Sequence, residues 1–186
     1  MKSSAAPSHV ALLYSVVLDS ESRVNMEKLR GMAAKLGFQQ VKSYIASGNL
    51  VYQSDAGIGD QEIMLERAFE KAFGKRVDII VKSRSQWTSL LCDNPYRELS
   101  GEDGSRVFVK IMRKPLHLKF LQPVKPLLAM GERLSCVKGN PWYYVPKSAQ
   151  GSRLHGRISD GKLGVGTSRN WNTVQAIDSL LKAEGA

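Results

Sequence analysis

The chain has 186 residues, 42% of them hydrophobic and 24% charged, an ordinary globular composition for one domain or two small ones. That balance excludes disorder, collagen and coiled coil, and no apolar run approaches the ~20 residues of a membrane-spanning helix, so no membrane partner is expected. The formal net charge is +10, and it is concentrated: residues 1–105 carry 13 basic and 13 acidic side chains, whereas residues 106–169 carry 13 basic ones against only Glu132 and Asp160. A block of that sign attracts polyanions such as nucleic acid or phosphorylated compounds.

Residues 1–7 read as a disordered tail. Lys2 before the apolar run Val10–Leu18 has a faint look of a signal peptide. Pro7, Ser8 and His9 interrupt the approach, however, and Asp19–Glu21 offers no small-residue cleavage site, so His9–Val17 is expected to be a buried strand. Asn25 can cap a helix with Met26, Leu29, Met32, Ala33 and Leu36 on one face and Gly37 as its stop. Val41–Ala46 and Leu50–Gln53 are expected strands around a tight Ser47-Gly48-Asn49 turn. Asp60 can cap a second helix that buries Leu65, Phe69 and Phe73 and ends at Gly74, before a strand at Val77–Lys82. The first 83 residues therefore spell βαββαβ, the ferredoxin-like order.

A short helix capped by Ser85 stops at Asn94-Pro95, and residues 100–105 read as a loop. The plan then repeats. Arg106–Met112 is a strand. Leu116–Met130 is helical but broken by Pro123 and Pro126. Leu134–Lys138 and Trp142–Val145 are strands across the Gly139-Asn140-Pro141 turn. Pro146–Gly166 reads as a long glycine-rich loop, and a helix from about Asn170 to Ala183 closes the chain. The expected fold is α+β, with two ferredoxin-like halves of mainly antiparallel sheet, residues 8–95 and 96–186.

The glycine-rich loop holds Arg153, Arg157 and Lys162 and leads through Arg169 to the start of the last helix. Flexible backbone N–H groups, a helix dipole and several cations are what a phosphate or carboxylate site needs. Gly156-x4-Gly161-Lys162 imitates a nucleotide-binding P-loop, but Leu163 stands where the magnesium-binding Ser or Thr would be and no strand precedes it. Asn170 and Asn172 can bind ligand or simply cap the helix. Should the loop not bind, Arg106, Lys110, Arg113 and Lys114 are the next cations available. The aromatic run Trp142-Tyr143-Tyr144 suits core packing better than base stacking, because the neighbouring strands lack the basic-aromatic pattern of RNA-binding sheets. His9, His117 and His155 fit no triad or metal spacing, and catalytic residues are not legible. Cys92 and Cys136 read as buried free thiols, with neither metal nor disulfide spacing, which fits a reducing compartment.

Two stretches carry a family resemblance: Val41-Lys42-Ser43-Tyr44-Ile45-Ala46-Ser47-Gly48-Asn49-Leu50-Val51-Tyr52 and Gly166-Thr167-Ser168-Arg169-Asn170-Trp171-Asn172-Thr173-Val174. Together they resemble the bacterial domain-of-unknown-function family 1697. The resemblance implies a cytoplasmic α+β protein of two ferredoxin-like halves and supplies no activity. Ser47 and Asn49, in the first of these stretches, are further candidate ligand-binding residues. Where that family usually reads Leu-Arg-Gly-Ile-Asn-Val-Gly-Gly after its first strand, this chain reads Leu13-Tyr14-Ser15-Val16-Val17-Leu18-Asp19-Ser20, so a ligand served by that loop would be lost or changed. Where the family tends to Gly-x-Ser-Lys-Leu, this chain has Gly151-Ser152-Arg153-Leu154, keeping the charge but not the hydrogen-bond geometry.

The expected function is therefore non-enzymatic binding of an anionic ligand, nucleic acid or a phosphorylated compound, without cofactor or metal. The expected ligand-binding residues are Arg153, Arg157, Lys162, Arg169, Asn170, Asn172, Ser47 and Asn49. An enzyme acting on a phosphorylated small molecule and a protein-interaction module are the alternatives.

Overall fold

In the computed structural model, which describes residues 6–14, 24–45 and 48–183, the apolar run after Pro7 forms strand β1 (Ser8–Leu13), buried along its whole length. The rest of the expected first strand, from Ser15 on, lies outside the described residues, as do the first five residues of the expected tail and the altered loop up to Ser20. The chain divides into two compact units, residues 1–89 with 176–186, and residues 90–175.

In the first unit, helix α1 (Met26–Lys35) starts where Asn25 Oδ1 accepts the Lys28 N–H at 2.9 Å. Strands β2 (Gln39–Tyr44) and β3 (Asn49–Gln53) pair antiparallel. Gly48 between them has φ +74, and a Cβ there would stand 2.8 Å from Leu13 Cβ, so the turn needs glycine twice over. Helix α2 (Ile58–Phe73) begins two residues before the expected Asp60 cap. Its N-cap is Gly57, which has no side chain to offer, and Asp60 instead sits in the first turn, where its charge suits the helix dipole. With β4 (Ile79–Ser83) the sheet order is β2-β3-β1-β4, all antiparallel. Both helices pack on one face, burying Leu29, Phe69, Leu50, Tyr52 and Ile79, with Met26, Leu36 and Phe73 around the margin.

Helix α3 (Arg84–Cys92) is followed by α4 (Arg97–Asp103), where the sequence suggested a loop. Strand β5 (Val107–Met112) then opens the second sheet, of order β6-β7-β5-β8 and again antiparallel throughout. Strand β6 is Arg133–Val137 and β7 is Asn140–Tyr144. The first crossover is a 3₁₀ segment, Leu118–Leu127, containing Pro123 and Pro126, consistent with prolines denying α-helical hydrogen bonds.

The second crossover corrects the sequence reading. Residues 146–166 are not one long loop but contain a 3₁₀ turn (Ala149–Gly151), helix α5 (Arg153–Ser159) and another 3₁₀ turn (Gly161–Leu163). Leu154 and Ile158, one helical turn apart, are fully buried against Tyr143 and Val124. Strand β8 (Gly166–Asn170) follows, where a helix start was expected, and α6 (Trp171–Lys182) begins one residue later than that expectation. The two sheets thus share one strand order, the ferredoxin-like arrangement in which the two crossovers cover one face.

Candidate anion-binding cleft

The expected site residues are scattered. Ser47 lies outside the described residues. Asn49 is wholly buried on β3, where its Nδ2 donates to Tyr44 O at 2.9 Å and so helps to fix the turn. Asn170 Oδ1 accepts the Thr173 N–H at 2.9 Å, the cap of α6, while Asn172 is exposed. Arg169 is not on open surface. It is 9% exposed, and its guanidinium donates to Thr167 Oγ1 at 2.5 Å and to Ser168 O at 2.9 Å. Burial pushes it down to about 10, which a guanidinium tolerates while keeping its charge at neutral pH.

Arg153, Arg157 and Lys162 separate around α5. Ser152 begins this helix: its Oγ accepts the His155 N–H at 3.0 Å and donates to Glu132 Oε1 at 2.6 Å. In the Gly151-Ser152-Arg153-Leu154 motif, serine therefore caps, leucine enters the core and arginine faces outward. Arg153 borders an open cleft with Lys147, but Glu132 lines the same cleft and offsets their charge. Arg157 is paired with Asp160 at 2.9 Å. Partial burial pushes the Asp160 carboxyl up, yet the Lys162 N–H and the Arg157 guanidinium together hold it below the ordinary carboxylate range.

Lys110, an alternative surface cation by sequence, is wholly buried beneath α5. Its Nζ donates to Ile158 O at 2.8 Å and to Asp160 O at 3.0 Å, so it satisfies carbonyls at the end of that helix and opposes the negative end of its dipole. Burial pushes its ammonium down. Arg106, another such cation, is paired with Asp103 at 2.9 Å. The aromatic strand is core as expected, with Trp142 and Tyr143 fully buried and Phe108 stacked on Tyr143 at 5.2 Å. Burial pushes the Tyr143 phenol up to about 12. Cys136 is half-buried, but Cys92 is exposed, contrary to expectation; both are free thiols.

What the second unit does assemble is a cleft of about 580 Å³ between the end of β5 and the turn before β8. The chain enters it at Met112, crosses Arg113, Lys114 and Pro115 to His117 and Phe120, and returns about forty residues later as Lys162, Leu163, Gly164 and Val165. The two stretches are tied together by Arg113 N–H donating to Val165 O at 3.0 Å. Gly164 has φ +91, which lets the chain leave the 3₁₀ turn sharply and enter β8. The lining holds Arg113, Lys114 and Lys162 and no carboxylate. His117 Nδ1 accepts the Lys119 N–H at 3.3 Å, which leaves Nε2–H as a donor on the neutral ring. Of the expected ligand-binding cations, Lys162 is the one that lines this cleft; Arg113 and Lys114 were named only as fallbacks, and Phe120 was missed. The signal for Phe120 was its place beside Lys119 in a segment whose inward residues are Leu121 and Val124.

Among the described residues no three His, Cys, Asp or Glu side chains gather as metal ligands, and no helix is long and apolar enough to cross a membrane. The conserved bacterial protein SP0830 from Streptococcus pneumoniae has a similar solved structure, with TM-score 0.74 and 21% identity over 94% of this chain and 98% of that one, a likeness of fold. The structure of a provisionally named chlorite dismutase, TA0507, has TM-score 0.24 and 12% identity over 92% of this chain and 99% of that one, too low a likeness to bear on this chain. No functionally curated protein matches the chain. The family model described as "Protein of unknown function (DUF1697)" matches residues 7–142.

Proposed function

Since the chain belongs to the DUF1697 family, whose name carries no activity, we propose from its own residues that it binds an anionic, phosphate-bearing ligand in the second unit's cationic cleft. The observation that carries this reading is a lining with Arg113, Lys114 and Lys162 and without a carboxylate. Residues 106–169 add the surrounding field, with 13 basic side chains against two acidic ones. Such a field raises the local concentration of anions and speeds their arrival. Lys114 and Lys162 supply mobile ammonium donors, and Arg113 can add the planar fork that suits a phosphate. Arg153 and Arg157 contribute at longer range, because Glu132 and Asp160 stand beside them. Binding without chemistry is the reading favoured, since the described cleft lining holds no Ser, Thr or Cys nucleophile.

Titration calorimetry with ribose 5-phosphate, and with ribose as the uncharged control, tests this at about 50 mM salt, where phosphate contacts are strong. The phosphate ester binds and ribose does not, and the K114A/K162A double variant loses the heat of binding. Equal binding of ribose, or full binding by the double variant, would refute the proposal.

A further inference from the structure

The cleft lining includes an exposed phenyl ring that phosphate binding does not explain. Phe120 is 49% exposed at its edge. It belongs to the 3₁₀ segment whose Leu121 and Val124 turn into the core, so the core does not require its ring. Leu118, two residues before, is 60% exposed. Phe120 shares the cleft lining with Lys114 and Lys162, and the Lys119 ammonium stands 5.2 Å from its ring centroid. An inorganic phosphate or a sugar phosphate would use the cations and leave the ring in water. A ligand that uses both carries an aromatic plane and a phosphate within the span of one cleft, which is the chemistry of a nucleotide. Bases of any kind stack on exposed rings, and cations beside the ring take the phosphate. A volume of about 580 Å³ lies within the range of small-molecule sites.

We infer that the ligand of this cleft is a nucleotide, with its base against Phe120 and its phosphate on Lys114 and Lys162. The inference rests on the anion-binding reading above and narrows it. The nucleotide is either free or the 5′-terminal unit of a single strand, since both present the same base and phosphate. The relevant side chains are exposed, so substitution there leaves the fold in place, which equal thermal midpoints verify.

The test compares adenosine 5′-monophosphate with ribose 5-phosphate by calorimetry on the wild-type chain, F120A, F120W and K114A/K162A. The nucleotide binds more tightly than the sugar phosphate. F120A weakens the nucleotide by about 5- to 150-fold, the range alanine substitution gives at base-stacking rings, and leaves ribose 5-phosphate unchanged. F120W retains nucleotide binding, and K114A/K162A weakens both ligands. A short 5′-phosphorylated single strand that binds more tightly than the free nucleotide, with the same loss in F120A, assigns the source to nucleic acid; weaker binding of the strand assigns it to the free nucleotide. Equal binding of the two small ligands, with F120A neutral, overturns the inference and leaves the phosphate reading standing. Failure of both to bind overturns both.

Discussion

Lys110 shows how a single buried charge can hold a helix. Its ammonium gives up water for two carbonyl oxygens at the end of α5, a trade that works only while both partners stay in reach. Lys110→Ala would leave those carbonyls without this donor and open a cavity, so a loss of about 2–4 kcal/mol is expected from urea denaturation. Lys110→Met refills most of the volume and should lose less. A change below about 0.5 kcal/mol in the alanine variant would show that the tether contributes nothing. At Gly48, alanine must adopt φ +74 and displace Leu13; a loss of at least about 1–2 kcal/mol is expected by the same assay.

Two histidines are expected to lower stability as the pH falls below neutrality. His9 Nδ1 lies 2.9 Å from Pro7 O, and its Nε2 faces the Gln61 amide nitrogen at 3.3 Å, while Gln61 Oε1 accepts the Tyr52 hydroxyl at 2.7 Å. The amide nitrogen can only donate, so Nε2 is the acceptor and the proton sits on Nδ1. His155 lies edge-on to Phe108. Burial pushes both imidazoles below their ordinary 6.5. As the pH falls through 6.5, the unfolded chain therefore takes up protons before the folded one does, and stability falls with it. The slope is at most about 1.4 kcal/mol per pH unit for each group, and the loss is complete below the folded values. Denaturation midpoints between about pH 7.5 and pH 5 should decline less steeply in the H9Q/H155Q double variant, and an unchanged decline would exclude these two residues as the cause.

At the scale of elements, α5 is the instructive case. Seven residues with Gly156 among them, flanked by Gly151 and Gly161, do not make a helix from propensity. Ser152 at one end, Lys110 at the other, and Leu154 and Ile158 beneath supply what propensity lacks. Ser152→Ala removes the cap and the hydrogen bond to Glu132, so about 1 kcal/mol of local stability is expected to disappear. Amide exchange at residues 153–160 should quicken while that of β5 stays slow; unaltered exchange would show that the cap is idle. The serine and the Leu154–Ile158 spacing were visible in the sequence, but the density of glycine outweighed them. Strand β8 was hidden for another reason. Gly166-Thr167-Ser168-Arg169-Asn170 has no apolar alternation, and it becomes a strand only because β5 offers a pairing edge. The elements of the first unit, by contrast, carry regular apolar faces, and both helices and the β2–β3 hairpin were legible, with the Asn25 cap and the Gly37 and Gly74 stops.

At the scale of the whole molecule, composition located the basic region but not the cleft within it. The cleft unites residues 112–120 with residues 162–165, and only the sheet order, which pairs β5 with β8, brings them together. Arg169 looked available because no acidic neighbour stood near it in sequence, whereas its strand turns it into the interior. Charge alone does not single out the site either. The groove between α1 and α2 is also lined by lysines, Lys28, Lys35 and Lys71, without a carboxylate. That groove lies in the part of the chain where acids and bases balance. If binding belongs to the basic cleft, affinity for a phosphate ester should fall steadily with added salt, and fall less steeply in K114A/K162A. Salt-independent binding would point to a ligand held by apolar contact.

The two lysine-lined sites can be told apart by following backbone amide signals in nuclear magnetic resonance spectra during titration with ribose 5-phosphate. With the ligand in the basic cleft, shifts appear at Lys114, His117 and Lys162–Val165, saturating together, while the amides of α1 and α2 stay unmoved. Shifts confined to the neighbourhood of Lys28, Lys35 and Lys71, or no shifts at all, would refute binding in that cleft.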